Sequence, residues 1–148
     1  REVVTTMSDI VWSIDNRYDS LDALMLRMKD FATEILQAKN IDLHFTTEGL
    51  QPVKSLDPGL KQNLYLIFKE AINNIVKHAA ATRVDVAILE NKDGFTMRIT
   101  DNGKGLPSTE SVRGNGLRNM RRRASAIDGE LDILVRDGTT ISVRRRSL

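Results

Sequence analysis

The chain has 148 residues, 41% of them hydrophobic and 28% charged, and a net charge of +2. That length fits one domain with a sizeable core, and no stretch approaches the roughly 20 apolar residues that span a bilayer. With no cysteine, disulfide frameworks and thiolate metal sites are excluded, and so mild a charge gives no reason to expect a direct nucleic-acid partner. The start has no signal-peptide pattern. The basic runs Arg121-Arg122-Arg123 and Arg144-Arg145-Arg146 lack the interleaved aromatics of a single-strand stacking platform and are expected to be solvated surface.

Val3 to Ile14 reads as helical, with Val3, Val4, Met7, Ile10, Val11 and Ile14 forming an apolar stripe and Asp15-Asn16 as a break. A longer helix is predicted from about Ser20 to Ala38, because Leu21, Leu24, Met25, Met28, Phe31, Ala32 and Ile35 recur at helical spacing. Ile41 to Thr47 alternates apolar and polar residues, the pattern of a half-buried strand. Pro58 suits the first turn of a second long helix, where a missing N–H costs nothing; that helix is predicted to run to about Ala80. Strands near Arg83–Leu89 and Phe95–Thr100 follow, and Asp93-Gly94 between them predicts an antiparallel hairpin. A glycine-rich loop leads to a third helix, about Gly116 to Ile127, stopped by Asp128-Gly129. Leu131, Ile133 and Val135, then Ile141 and Val143 across Asp137-Gly138, mark two more strands. Helices and hairpins without βαβ alternation predict an α+β fold: a two-layer sandwich with helices on one face of a mixed, mostly antiparallel sheet.

Three stretches carry chemistry. On the second helix, Glu70, Asn74, Lys77 and His78 stand at i, i+4, i+7 and i+8, which predicts one polar arc beside the apolar stripe. Asparagine is a poor helix former, so the adjacent Asn73 and Asn74 cost stability unless something uses them. After a strand comes Asp101-Asn102-Gly103-Lys104-Gly105: an acceptor for an exocyclic amine, followed by glycines that permit close backbone approach. Gly114-Asn115-Gly116-Leu117 opens a helix, where free N–H groups and the helix dipole could cradle phosphate. Neither a Walker A loop nor a dinucleotide fingerprint is present.

In this order, and with Gly138-Thr139 before the last strand, these stretches resemble the N, G1, G2 and G3 boxes of the GHKL ATPase superfamily, over roughly Asn40 to Val143. The sequence is most similar to the sensor histidine kinases that pair with helix-turn-helix response regulators. The resemblance implies ATP and Mg²⁺ as cofactors, with Asn74 as the Mg²⁺ ligand, Lys77 and His78 beside the phosphates, and Glu70 orienting or deprotonating the nucleophile. It further implies that Asp101 and Thr139 read adenine, while Gly103, Gly105, Leu106, Gly114, Asn115, Gly116 and Leu117 shape the nucleotide loop. Residues 1–15 would be the end of a dimerisation helix or a linker, and 16–148 the catalytic domain. The phosphoacceptor would lie on an upstream dimerisation domain of the same protein, because neither His44 nor His78 has the helical His-Asp or His-Glu setting. The stretch Leu106 to Arg113 is short for an ATP lid, and Arg144-Arg145-Arg146 stands where the family often has Leu-Pro. A membrane-associated homodimer with this domain in the cytoplasm is the implied context, with a response regulator as indirect partner. Two alternatives stay open: an anti-sigma-type serine kinase, which ordinarily begins with a strand, and a non-catalytic GHKL-like binding module.

Overall fold

The computed structural model describes residues 20–51, 54–104 and 116–148. The expected helix at Val3–Ile14, the division at residue 15, and Gly105, Leu106, Gly114 and Asn115 lie outside the described residues.

Helix α1, Leu21–Ala38, starts where the Ser20 hydroxyl accepts from the Ala23 N–H at 3.1 Å, one of the donors a helix start leaves unpaired. It ends with Asn40 in the left-handed region at φ 59°. There Asn40 N–H donates to Gln37 O and Ile41 N–H to Leu36 O, the paired bonds of a Schellman stop. The buried stripe is Leu21, Leu24, Met28, Ala32 and Leu36; Leu36 extends the sequence-derived set by one turn. Strand β1, Asp42–Glu48, leaves with Leu43 and Phe45 half-buried between exposed neighbours.

Helix α2, Pro58–Asn74, has proline in its first turn, and the Asp57 carboxylate accepts from Gly59 and Leu60 N–H. It continues as a π-helical turn, Ile75–Ala79, and stops at Ala80 with φ 53°. Strands β2, Arg83–Asn91, and β3, Gly94–Asp101, form the expected hairpin. Its tip is Lys92-Asp93, one residue earlier than the Asp-Gly pair suggests. Asn91 Oδ1 accepts from Asp93 N–H at 2.8 Å, and Gly94 already belongs to the strand, where a Cβ would collide with the Arg145 carbonyl. Helix α3, Gly116–Ala126, and strands β4, Glu130–Val135, and β5, Thr139–Arg145, complete the fold.

The sheet order is β1-β2-β3-β5-β4, with β1 parallel to β2 and every other pair antiparallel. Val86, Phe95, Met97, Ile99 and Val143 are buried on the sheet, with Leu64, Phe68 and Ile72 of α2 in the same core. This is the expected α+β sandwich. The basic runs are exposed or half-buried, yet part of them is structural. Arg121 Nη1 donates to Leu131 O at 3.1 Å, Arg145 Nε to Ile127 O at 2.7 Å, and Arg123 Nη1 to Asn63 Oδ1 at 3.3 Å. The guanidinium forks thus tie α3 to the sheet and to α2, a use that a run of like charges does not advertise.

Candidate functional site

Strand β3 ends at Asp101, whose register partner on β5 is Thr139. Both are buried, at 3% and 6% exposure. The Asp101 carboxylate accepts from Gly103 N–H at 2.8 Å. Burial pushes its pKa up, and the backbone N–H groups of Gly103 and Thr139 pull against that rise. Thr139 Oγ1 is buried with no hydrogen-bond partner among the described residues, a state that costs about 1–3 kcal/mol until something fills it.

Glycines close this corner where no side chain fits. A Cβ on Gly138, which sits at φ +126°, would collide with the Asp101 carbonyl; one on Gly103 would collide with the carbonyl of Ala79. That same carbonyl accepts from Lys104 N–H at 2.9 Å, so the loop after β3 is stitched to the end of the π turn. Asn102 locks the other side: its Oδ1 accepts from Thr82 and Arg83 N–H, both at 3.0 Å, and its Nδ2 donates to Thr82 Oγ1 at 2.9 Å. Sequence reading quoted Asn102 without giving it a role. The signal was its place next to an aspartate at a strand end, where a short amide can bond the backbone.

Asp101 and Thr139 open into a slot with Ala71, Asn74, Ile75 and Ala79 on one wall and Leu117 and Met120 of α3 on the other; Ile99, Ile133 and Ile141 line it from the sheet. Three polar side chains thus converge in an apolar cleft, the usual make-up of a small-molecule site. Its free volume of about 20 Å³ is room for one water, so a larger ring enters only if the lining shifts. Wider clefts lie between α1 and β1, at the Arg144–Ser147 end, and between the start of α2 and Ile127. These are open surface depressions in which no described residue carries a buried orphan donor or acceptor, and the chemistry points to the slot.

The structure brings Asn74, Asp101, Leu117 and Thr139 together at the slot, with Gly103 packed behind it. Glu70 is half-buried against Gly116 at the start of α3. Lys77 and His78 are exposed on the π turn and do not line the slot. Met120, Ile99, Ile133 and Ile141 were read as ordinary periodic apolar residues or not singled out; apolar periodicity does not distinguish core from ligand wall.

The chemistry of this donor set fits a purine. A carboxylate can accept from an exocyclic amine, a hydroxyl without a partner can bond a ring nitrogen directly or through a water, and apolar walls can take the ring faces. Asn74 also lines the slot, and an amide oxygen is a hard ligand that would suit Mg²⁺, which usually takes only one or two protein ligands beside phosphates and water.

Residues 59–146 match the family described as histidine kinase-, DNA gyrase B-, and HSP90-like ATPase. The sensor histidine kinase YvfT of Bacillus subtilis is 33% identical over 109 residues, which cover 74% of this chain and 29% of that protein. The histidine-protein kinase/phosphatase DegS of Brevibacillus brevis is 43% identical over 83 residues, 54% of this chain and 22% of its own length. The solved ATP binding domain of PrrB from Mycobacterium tuberculosis superposes with a TM-score of 0.62 at 25% identity, covering 85% of this chain and 92% of that one. The chain therefore spans less than a third of the curated relatives it matches, and it belongs to the histidine kinase-, gyrase B- and HSP90-like ATPase family.

Proposed function

We propose that the chain is the ATP-binding catalytic domain of a sensor histidine kinase, and that it delivers the γ-phosphate of ATP to a histidine outside this segment. The observation that carries the reading is the pairing of the buried Asp101 carboxylate with a Thr139 hydroxyl that has no partner among the described residues, in an apolar slot that Asn74 also lines. Asp101 accepts from the adenine amino group, Thr139 completes the edge of the ring, and Asn74 directs its amide oxygen toward the triphosphate. Bound Mg²⁺ would neutralise phosphate charge there. Lys77 and His78 reach the phosphates from the exposed π turn, and Glu70 orients or deprotonates the incoming nucleophile. Phosphoryl transfer asks a protein mainly for this positioning and charge stabilisation. The first turn of α3, with the residues just before it, supplies N–H groups to the phosphates.

The relatives named as sensors are more than three times as long as the matched segment. That supports a context in which the acceptor histidine sits on a dimerisation domain of the same longer protein, within a membrane-associated homodimer, and the phosphate passes on to a response regulator. Among the described residues no helix is long and apolar enough to cross a membrane. In the proposed context this domain works in the cytoplasm. Two mixtures decide the reading. Calorimetry with Mg-ATP should give micromolar-to-millimolar binding, about −4 to −8 kcal/mol, and no heat at millimolar nucleotide would sink the proposal. The isolated chain should fail to label itself from the γ-phosphate; stable phosphohistidine on His44 or His78 would overturn the external acceptor.

A further inference from the structure

Gly116 opens α3, and family resemblance gives it to the phosphate loop. Its packing gives it another task. A Cβ at residue 116 would collide with Glu70 Oε2 and lie 3.1 Å from Glu70 Cδ and 3.6 Å from Cγ. The volume of the missing side chain is therefore filled by the Glu70 carboxylate. This contact sits at the rim of the slot, because Leu117, the next residue, and Asn74, one helical turn after Glu70, both line it. Farther along α3, Arg123 is anchored on Asn63 at 3.3 Å and lies within reach of the Glu70 charge, which opposes the burial and the Arg122 repulsion that lower the Arg123 pKa.

We infer that Gly116 is a positioning residue for Glu70: its bare Cα lets the carboxylate lie against the start of α3, and any side chain there pushes it off. The packing stands without the kinase reading; only its catalytic consequence rests on that reading. The colliding atom is the far end of a flexible side chain, so Gly116→Ala leaves the fold intact, all the more because alanine is the better helix former. Yet a carboxylate displaced by about 1 Å at a reacting centre can lose on the order of 10²-fold in rate.

The seat is read directly in the 148-residue chain as a nuclear Overhauser contact between the Gly116 Hα and Glu70 Hγ protons. Its absence overturns the inference whatever the chain binds. The consequence is read in the longer protein that carries the acceptor histidine. Gly116→Ala should lower the phosphotransfer rate at saturating ATP about tenfold or more. Glu70→Asp alone should slow transfer, but combined with Gly116→Ala it should recover part of the loss, because the side chain shorter by one methylene clears the new methyl group. Parent-like transfer by Gly116→Ala, or a double variant slower than either single one, overturns the positioning role. A parent chain that fails to bind ATP removes the kinase reading instead, and the Overhauser contact still decides the seat.

Discussion

At the Asp101 end of the slot every turn of the backbone is pinned by a close contact: Gly138 on the Asp101 carbonyl, Gly103 on the Ala79 carbonyl, Asn102 across to Thr82 and Arg83. On the π turn, by contrast, Lys77 and His78 stand in solvent. The first region is preorganised and loses little freedom on binding, whereas long exposed side chains must be ordered each time they engage a charge. On the proposed reading, base recognition is built into the fold and phosphate handling is assembled on binding.

The contrast can be broken most severely at Gly138. Gly138→Val places a β-branched residue at φ +126° against the Asp101 carbonyl. With strain of about 1–3 kcal/mol for such a conformation and the clash on top, the variant should lose roughly 3 kcal/mol and melt several degrees lower. Thermal melting near that of the parent would mean the corner is soft. Next in size is Asp101→Asn, which keeps one oxygen for the Gly103 and Thr139 N–H groups and turns an amine toward the other. Losing a charge-assisted bond to the ligand should cost about 1.5–3 kcal/mol, roughly ten- to 150-fold in ATP affinity by calorimetry. A parent-like affinity would reduce Asp101 to a turn residue.

Acidity should separate recognition from stability at the same residue. Burial raises the Asp101 pKa above its ordinary 3.8, and the ionised form accepts from an amine more strongly than the neutral acid, whose bond has no charge assistance. ATP affinity should therefore fall as pH drops through the raised value, and this pH dependence should disappear in Asp101→Asn. Stability of the ligand-free chain moves the other way. Between 3.8 and the raised value the folded state binds the proton more readily than the unfolded one, so this group makes the fold more stable as pH falls across that window. A pH dependence of ATP affinity that persists unchanged in Asp101→Asn would contradict the assignment. The smallest effect belongs to the exposed end: Lys77→Ala should weaken ATP binding by roughly two- to fivefold, the scale of an exposed ion pair, and less at high salt. A loss as large as that of Asp101→Asn would mean that Lys77 closes onto the ligand in a desolvated contact.

Much of this was legible in the sequence because the signals were local. Ser20, Pro58 and Asp128-Gly129 mark helix ends with side chains whose chemistry acts within a turn, and alternation over Leu131–Val135 marks a strand with its faces. The polar arc read from Glu70 to His78 was only half legible. Its spacing assumes 3.6 residues per turn throughout, whereas Ile75–Ala79 is wound as π, a feature often found at functional sites that hydrophobic periodicity does not announce. Also hidden were contacts set by the sheet. Asp101 meets Thr139 only because β3 pairs with β5, and nothing local to Arg121 or Arg145 says which distant carbonyl each will cap.

The single parallel pair in the sheet has a consequence for the order in which the chain becomes structured. β2 and β3 are joined by a tight turn, Asn91 pairing with Gly94, and can zip as soon as both are present. β1 must wait, because Asp42 pairs with Arg83 on the far side of all of α2. Closing such a long loop costs entropy before any contact returns it, which makes non-local parallel pairing slow. During synthesis β1 emerges before β2 and can pair only once β2 has followed. Destabilising substitutions in β1, such as Phe45→Ala, should therefore speed unfolding and leave the folding rate nearly unchanged, while the same truncation at Val86 should slow folding.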